Sequence, residues 1–200
     1  MSGIMTYCTL LLASALHAGE WHVEKNYGAN LVSFTSEVIG FSFSGQTNGI
    51  DGYIYDKDSY FFTDDSDFFF EVDLSSLDTG IGKRDRDMRE ILNTRRWPKA
   101  TFSGKLGAVV KDSSDQNVFL TRSRGVLNLR GVERTIVVDT KIRAEKEGFK
   151  ISADFPIFLN DFNIKAPKLV AFLKVSEEII ITVSFTLVAI STETNATGEK

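Results

Sequence analysis

The sequence predicts an all-β fold: an antiparallel, up-and-down barrel of eight to ten strands with one short helical insert. Three observations carry this. From residue 19 onward, apolar and polar side chains alternate with a period of two, as in strands with one dry face and one wet face. Short breaks rich in Gly, Asp and Ser separate the alternating runs. A single stretch, 84–92, switches to helical spacing. The number and length of the runs, with so little helix, favour a closed barrel over a sandwich.

Taken in order, strands are expected at 21–25, 30–35, 38–44 and 50–56, with a hairpin-like break at 45–49. In 67–74, DFFFEVDL, one face carries Phe68, Phe70, Val72 and Leu74; Asp67, Glu71 and Asp73 share the other with Phe69. A strand over 100–110 is expected to turn Phe102 inward. In 117–129, Phe119, Thr121, Ser123, Gly125, Leu127 and Leu129 oppose Arg122, Arg124 and Asn128. Ile136 and Val138 lie opposite the charged face of 133–143. Phe149 and Ile151 open an alternating run that ends at Phe155, and Ile181 and Phe185 belong to a last one. The breaks between these runs fall at 112–115, 130–132 and 145–148.

The insert reads SSLDTGIGKRDRDMRE over 75–90. Met88, Ile91 and Leu92 recur at helical spacing, and Asp85 with Arg89 forms an i,i+4 pair. The pair Trp97 and Pro98 is expected to block continuation, because the residue before proline avoids the α region. The predicted helix is one or two turns with its apolar side down. Asp78, Asp85 and Asp87 raise the alternative of paired carboxylates for acid–base chemistry. Four basic residues in the same stretch favour an ion-paired helix covering a barrel mouth, since such pairing lowers a carboxyl pKa.

The 200-residue chain is an ordinary globular composition, 42% hydrophobic and 25% charged, with a net charge of −4. That balance lacks the basic footprint of a nucleic-acid binder. Sixteen Phe supply rigid area for a thick core or an apolar cavity. Residues 4–18 carry no Asp, Glu, Lys or Arg, are too short to span a membrane, and end in small residues, as a secretory leader does. The expected organisation is a leader over 1–18 cleaved after Ala15 or Ala18, a barrel over 19–190 and a polar tail over 191–200. It places the mature protein in the periplasm or outside the cell, with no transmembrane anchor. Cys8 and His17 would leave with the leader, so that neither a thiol nor a Cys/His metal site remains. No cofactor is expected, and a homodimer is left open. The acidic run Asp64, Asp65, Ser66 and Asp67 does not match a calcium loop and reads as a polar turn. His22 alternates outward with Glu20 and Glu24.

The face from Phe119 to Leu129 is large at its ends and small in the middle, at Ser123 and Gly125. Small inward side chains leave room for a slender ligand, although ordinary barrel taper would also use them. On the reading with a cavity, its lining is Phe68, Phe70, Val72, Phe102, Phe119, Ser123, Gly125, Leu127, Ile136, Val138, Phe149, Ile151, Ile181 and Phe185. Gly125→Phe is then expected to block the space with the fold intact.

These stretches add up to a resemblance. SLDTG at 76–80, RDRDMR at 84–89, WPKATFSG at 97–104, GVLNLRGV at 125–132 and DFNI at 161–164 stand in an order and spacing that resemble the YceI-like family. WHV at 21–23, NLVSF at 30–34 and IDGYI at 50–54 extend the likeness. The resemblance implies an extended eight-stranded, lipocalin-like antiparallel barrel with an apolar tunnel that holds a polyisoprenoid chain in some members. It also implies that the charged insert is a short helix near the barrel end, clamped by Thr79, Arg84, Asp85 and Arg89. The chain departs from the commoner pattern at 36–43, which has no histidine, and at 160–163, which reads NDFN. The expected function is a binding protein for a polyisoprenoid or other long-chain lipid, not an enzyme. The alternatives are a barrel without ligand that serves structure or partner binding, and a lipid-modifying enzyme built on Asp78, Asp85 and Asp87.

Overall fold

The computed structural model describes residues 19–25, 30–38, 40–57, 59, 61–170 and 173–190, with only the backbone of 168–170 and 173–174. The expected leader and polar tail lie outside the described residues. The strands are β1 (Gly19–Val23), β2 (Leu31–Val38), β3 (Phe41–Thr47), β4 (Ile50–Asp56), β5 (Asp67–Asp73), β6 (Lys99–Lys105), β7 (Val110–Lys111), β8 (Val118–Leu129), β9 (Val132–Glu145), β10 (Gly148–Phe158), β11 (Lys168–Val170), β12 (Leu173–Lys174) and β13 (Glu178–Ala189). The helix α1 spans Gly82–Leu92.

The barrel closes through the order β1-β4-β5-β6-β8-β9-β10-β13, with β13 returning to β1, and every pairing is antiparallel. Eight staves result. β13 pairs β1 through Leu187 to Ala189 and β2 through Ile179 to Ser184, so β1 and β2 are two lengths of one stave. Likewise β4 pairs β1 while β3 pairs β2, which makes β3 and β4 the next stave. A free edge remains along β3, bridged to Asp78 at Gln46; elsewhere closure pairs the staves on both sides.

One turn differs from the sequence expectation. The chain reverses at Gly40, inside the expected strand 38–44, where φ of +94° suits a residue without Cβ. Val38 then pairs with Phe41. The expected break at 45–49 is a kink within a stave, where the Thr47 hydroxyl accepts from Gly49 N–H at 2.8 Å and lies 2.5 Å from the Ser76 hydroxyl. By contrast, the expected turn at 130–132 is a tight hairpin. Arg130 and Gly131 both have positive φ, and Leu129 pairs with Val132 across them.

The helix is also longer than expected. It begins at Gly82, not at 84, and makes about three turns. Asn93, in the left-handed region at φ 52°, stops it ahead of Trp97 and Pro98. The α1 helix packs Met88, Ile91 and Leu92 onto a cluster of Leu74, Leu77, Leu129, Ile157, Phe162 and Ile179 at one end of the barrel. The opposite end is filled by aromatic rings. Trp21 and Phe62 stand 4.6 Å apart between centroids, Phe62 and Phe149 4.7 Å, and Phe61 and Phe119 4.8 Å. Offset and edge contacts of this kind add to the burial of the rings themselves.

An apolar cavity beneath the helix

Between the aromatic end and α1 lies a cavity of about 560 Å³, within the usual range for small-molecule sites. Its deep walls include Ile54, Phe68, Leu106, Ile142 and Ile151, and its outer part includes Phe34, Phe43, Ile81 and Met88. The opening follows from the strand pairing. β3 is bonded to β2 along its whole length, but on its other side the bridge from Gln46 to Asp78 continues the wall towards β5. Beyond that bridge α1 takes the place of a strand.

Of the side chains expected to line a cavity, Phe68, Phe70, Val72, Phe102, Ser123, Leu127, Val138, Ile151, Ile181 and Phe185 stand in its wall. Four expected residues do not. Phe119 and Phe149 point into the barrel but pack at an angle on Phe61 and close the end. Ile136 pairs with Gly125, and neither lies in the wall. Gly125 is small for a different reason from the one its position implies. A Cβ there would meet Ser103 O at 2.4 Å and a Phe102 ring carbon at 2.9 Å, so the glycine lets β6 and β8 approach. Phenylalanine at 125 would therefore strike β6 instead of filling an empty cavity. Missing from the expectation are Val32 and Phe34 of β2, Ile50 and Ile54 of β4, and the α1 residues. Period two along LVSFTSEV marks the β2 pair; no comparable signal marks which helix side chains look into a barrel.

Hydrogen bonds tie α1 to the segment before it. The amide and hydroxyl of Thr79 both donate to Oδ1 of Asp85. The Arg84 guanidinium donates to Thr79 O at 2.8 Å, and Arg89 Nε donates to Ser75 O at 2.9 Å. The four residues thus clamp helix to loop. The expected partner of Asp85 was Arg89, but Thr79 holds Asp85 and Arg89 turns to backbone carbonyls. Donation by the Thr79 hydroxyl and then its N–H keeps the Asp85 carboxyl below the usual Asp range, with burial opposing and Arg89 and Asp78 adding less. A carboxyl held ionised in this way is poorly suited to donate a proton near neutral pH. Asp78 accepts from Gly80 N–H at 2.7 Å, and Asp87 pairs with Lys83 at 2.6 Å. Deeper in the cavity, the Ser123 and Thr140 hydroxyls bond each other at 2.9 Å.

His22 lies on the outside, 2.6 Å from Glu20 and stacked on Tyr53. Among the described residues no group of three His, Cys, Asp or Glu side chains is placed to hold a metal ion. No helix of the described residues is long and apolar enough to cross a membrane.

A family model for a YceI-like domain matches residues 21–187. Among solved structures, BcnA of Burkholderia cenocepacia is 16% identical with a TM-score of 0.65, covering 82% of this chain and 98% of that one. A polyisoprenoid binding domain from Saccharophagus degradans, implicated in plant cell wall breakdown, is also 16% identical with a TM-score of 0.65, covering 88% and 99%. The YCEI protein of Campylobacter jejuni is 17% identical with a TM-score of 0.54, covering 74% and 84%. At these identities the likeness is one of fold. A comparison with curated proteins finds no match.

Proposed function

The chain belongs to the YceI-like family, and from that premise we propose that it is a binding protein that holds a long apolar ligand, a polyisoprenoid or another lipid, for transport, storage or sequestration. The observation that carries this reading is the apolar cavity of about 560 Å³ running from β3 and α1 to the aromatic end. Burial supplies the affinity, at about 0.8 kcal/mol for each methylene removed from water. No covalent chemistry is required of the protein. The Thr79 clamp on Asp85 gives the charged insert a structural role. The polyisoprenoid-binding domain of Saccharophagus degradans supports the choice of ligand class.

The stretch 4–18, without Asp, Glu, Lys or Arg, supports export to the periplasm or beyond.

Native mass spectrometry of the protein purified from its own source, followed by organic extraction, tests the reading. A discrete additional mass that extracts into solvent is expected, on a polypeptide that starts at residue 16 or 19. A bare polypeptide that also fails to take up added polyprenol would overturn the binding role and favour a barrel that serves structure or partners. A mass that begins at residue 1 would overturn the export reading alone.

A further inference from the structure

The mouth of the cavity differs chemically from its depth. Deep in the barrel the Ser123 and Thr140 hydroxyls bond each other, and the Thr121 hydroxyl donates to Gly107 O at 2.9 Å. At the mouth two buried polar groups lack such a partner. Ser36 is 1% exposed, lines the cavity, and its hydroxyl has no hydrogen-bond partner. Its cross-strand partner is Phe43. The Arg84 guanidinium lies over the Phe43 ring, 4.8 Å from its centroid. Arg84 spends one N–H on Thr79 O, but its buried Nε has no partner. An arginine carries five N–H donors and no acceptor, so donors remain where the cavity opens. Buried donors left unpaired cost stability, and a ligand acceptor would recover it.

Two further features have the same sign. Lys83 lines the same opening. Its pair with Asp87 joins side chains 78% and 55% exposed, and such a surface pair is weak enough to yield to a better acceptor. The N-terminus of α1 sits there too, and its N-cap Ile81 offers no side-chain hydrogen bond to the first-turn N–H groups. The free N–H groups of a helix start favour negative charge. Asp87, also in the wall, is the one opposing charge among the described residues that line the cavity.

We propose that this mouth binds an oxyanion at the end of the apolar chain, so that the ligand is an amphipathic lipid with a phosphate or carboxylate head. Arg84 is its principal partner, Ser36 donates from the β2 side, and Lys83 adds charge. The proposal rests on the lipid-binding reading above and specifies its ligand.

The test uses delipidated protein and two probes with one tail, geranylgeranyl phosphate and geranylgeraniol, titrated by calorimetry at low ionic strength. The phosphate is expected to bind about tenfold tighter or better, as for one charge-assisted hydrogen bond. Arg84→Gln should abolish that advantage and Ser36→Ala should reduce it. Asp87→Asn, which removes the opposing charge without touching the clamp, should increase it by roughly twofold to fivefold. In both variants the change should be larger for the phosphate than for geranylgeraniol, because a change shared by both probes would report only a disturbed cavity wall. Equal binding of both probes by the wild-type protein would overturn the anionic head while leaving the lipid role standing. An advantage that Asp87→Asn and Ser36→Ala leave unmoved would overturn the site even if Arg84→Gln fails to fold. Inorganic phosphate binding as tightly as the lipid phosphate would replace the amphipathic ligand with a free anion. Binding of neither probe would overturn the lipid role and this proposal together.

Discussion

Ala153 offers a direct way to divide the cavity. It lies midway along β10, 7% exposed, in the wall and paired with Val183 of β13. Towards the aromatic end lie Ile151 and Phe185; towards α1 lie Phe155 and Ile181. Alanine already carries a Cβ, so Ala153→Phe extends into open volume and not into a neighbouring backbone. A ring there should deny a ligand the deep half of the cavity. If about five methylenes are excluded, at about 0.8 kcal/mol each, the loss is about 4 kcal/mol. That corresponds to roughly a thousandfold in affinity. The loss should depend on chain length: geranylgeraniol should suffer most of it, whereas geraniol, with half the carbons, should be little affected. Calorimetric titration of both alcohols measures the effect, and thermal unfolding checks that the barrel is intact. An intact variant that binds geranylgeraniol as the wild type does would refute the tunnel as the ligand's path. An equal loss for both alcohols would refute the idea that the chain lies along the barrel axis.

Other outcomes follow from the local geometry. Gly125→Ala should destabilise the barrel by about 1–3 kcal/mol in urea unfolding, because its Cβ would press on Ser103 O; an unchanged midpoint would show that β6 can yield. Ile142→Ala, at a fully buried position, should cost about 2–5 kcal/mol in the same assay. The Asp85 carboxyl is held below its ordinary pKa, so around the usual Asp range the unfolded chain binds the proton more readily than the folded one. Its contribution is therefore present at neutral pH and lost as the pH falls through the ordinary Asp range to the lower folded value. Asp85→Asn should lower stability at neutral pH and flatten the acid limb of the stability curve. An acid limb unchanged in the variant would remove Asp85 from that role.

Much of the barrel is legible along the chain because strand side chains have a period of two. The inward faces of β5, β8, β10 and β13 follow from it, and the hairpin between β8 and β9 follows from Arg130 and Gly131. The run SLDTGIGKRDRDMRE likewise carries its helical spacing locally, whereas the clamp of Thr79, Arg84, Asp85 and Arg89 comes from the family resemblance, spacing alone having paired Asp85 with Arg89. Three matters belong to the tertiary structure. Whether a break reverses the chain or kinks it depends on the pairing partner: the kink at 45–49 sits in a stave whose reversal is at Gly40. Whether an inward side chain lines or plugs depends on its level along the axis, which sends Phe68 to the wall and Phe119 to the aromatic end. A missing side chain means space or close approach according to what faces it, and at Gly125 it is β6. The mouth is the clearest case. Ser36 and Arg84 are 48 positions apart. Ser36 falls between the strands expected at 30–35 and 38–44, and helical spacing says nothing of the ring beneath Arg84. Phe43 brings them together because β2 and β3 are paired and α1 stands where a strand would otherwise close the wall.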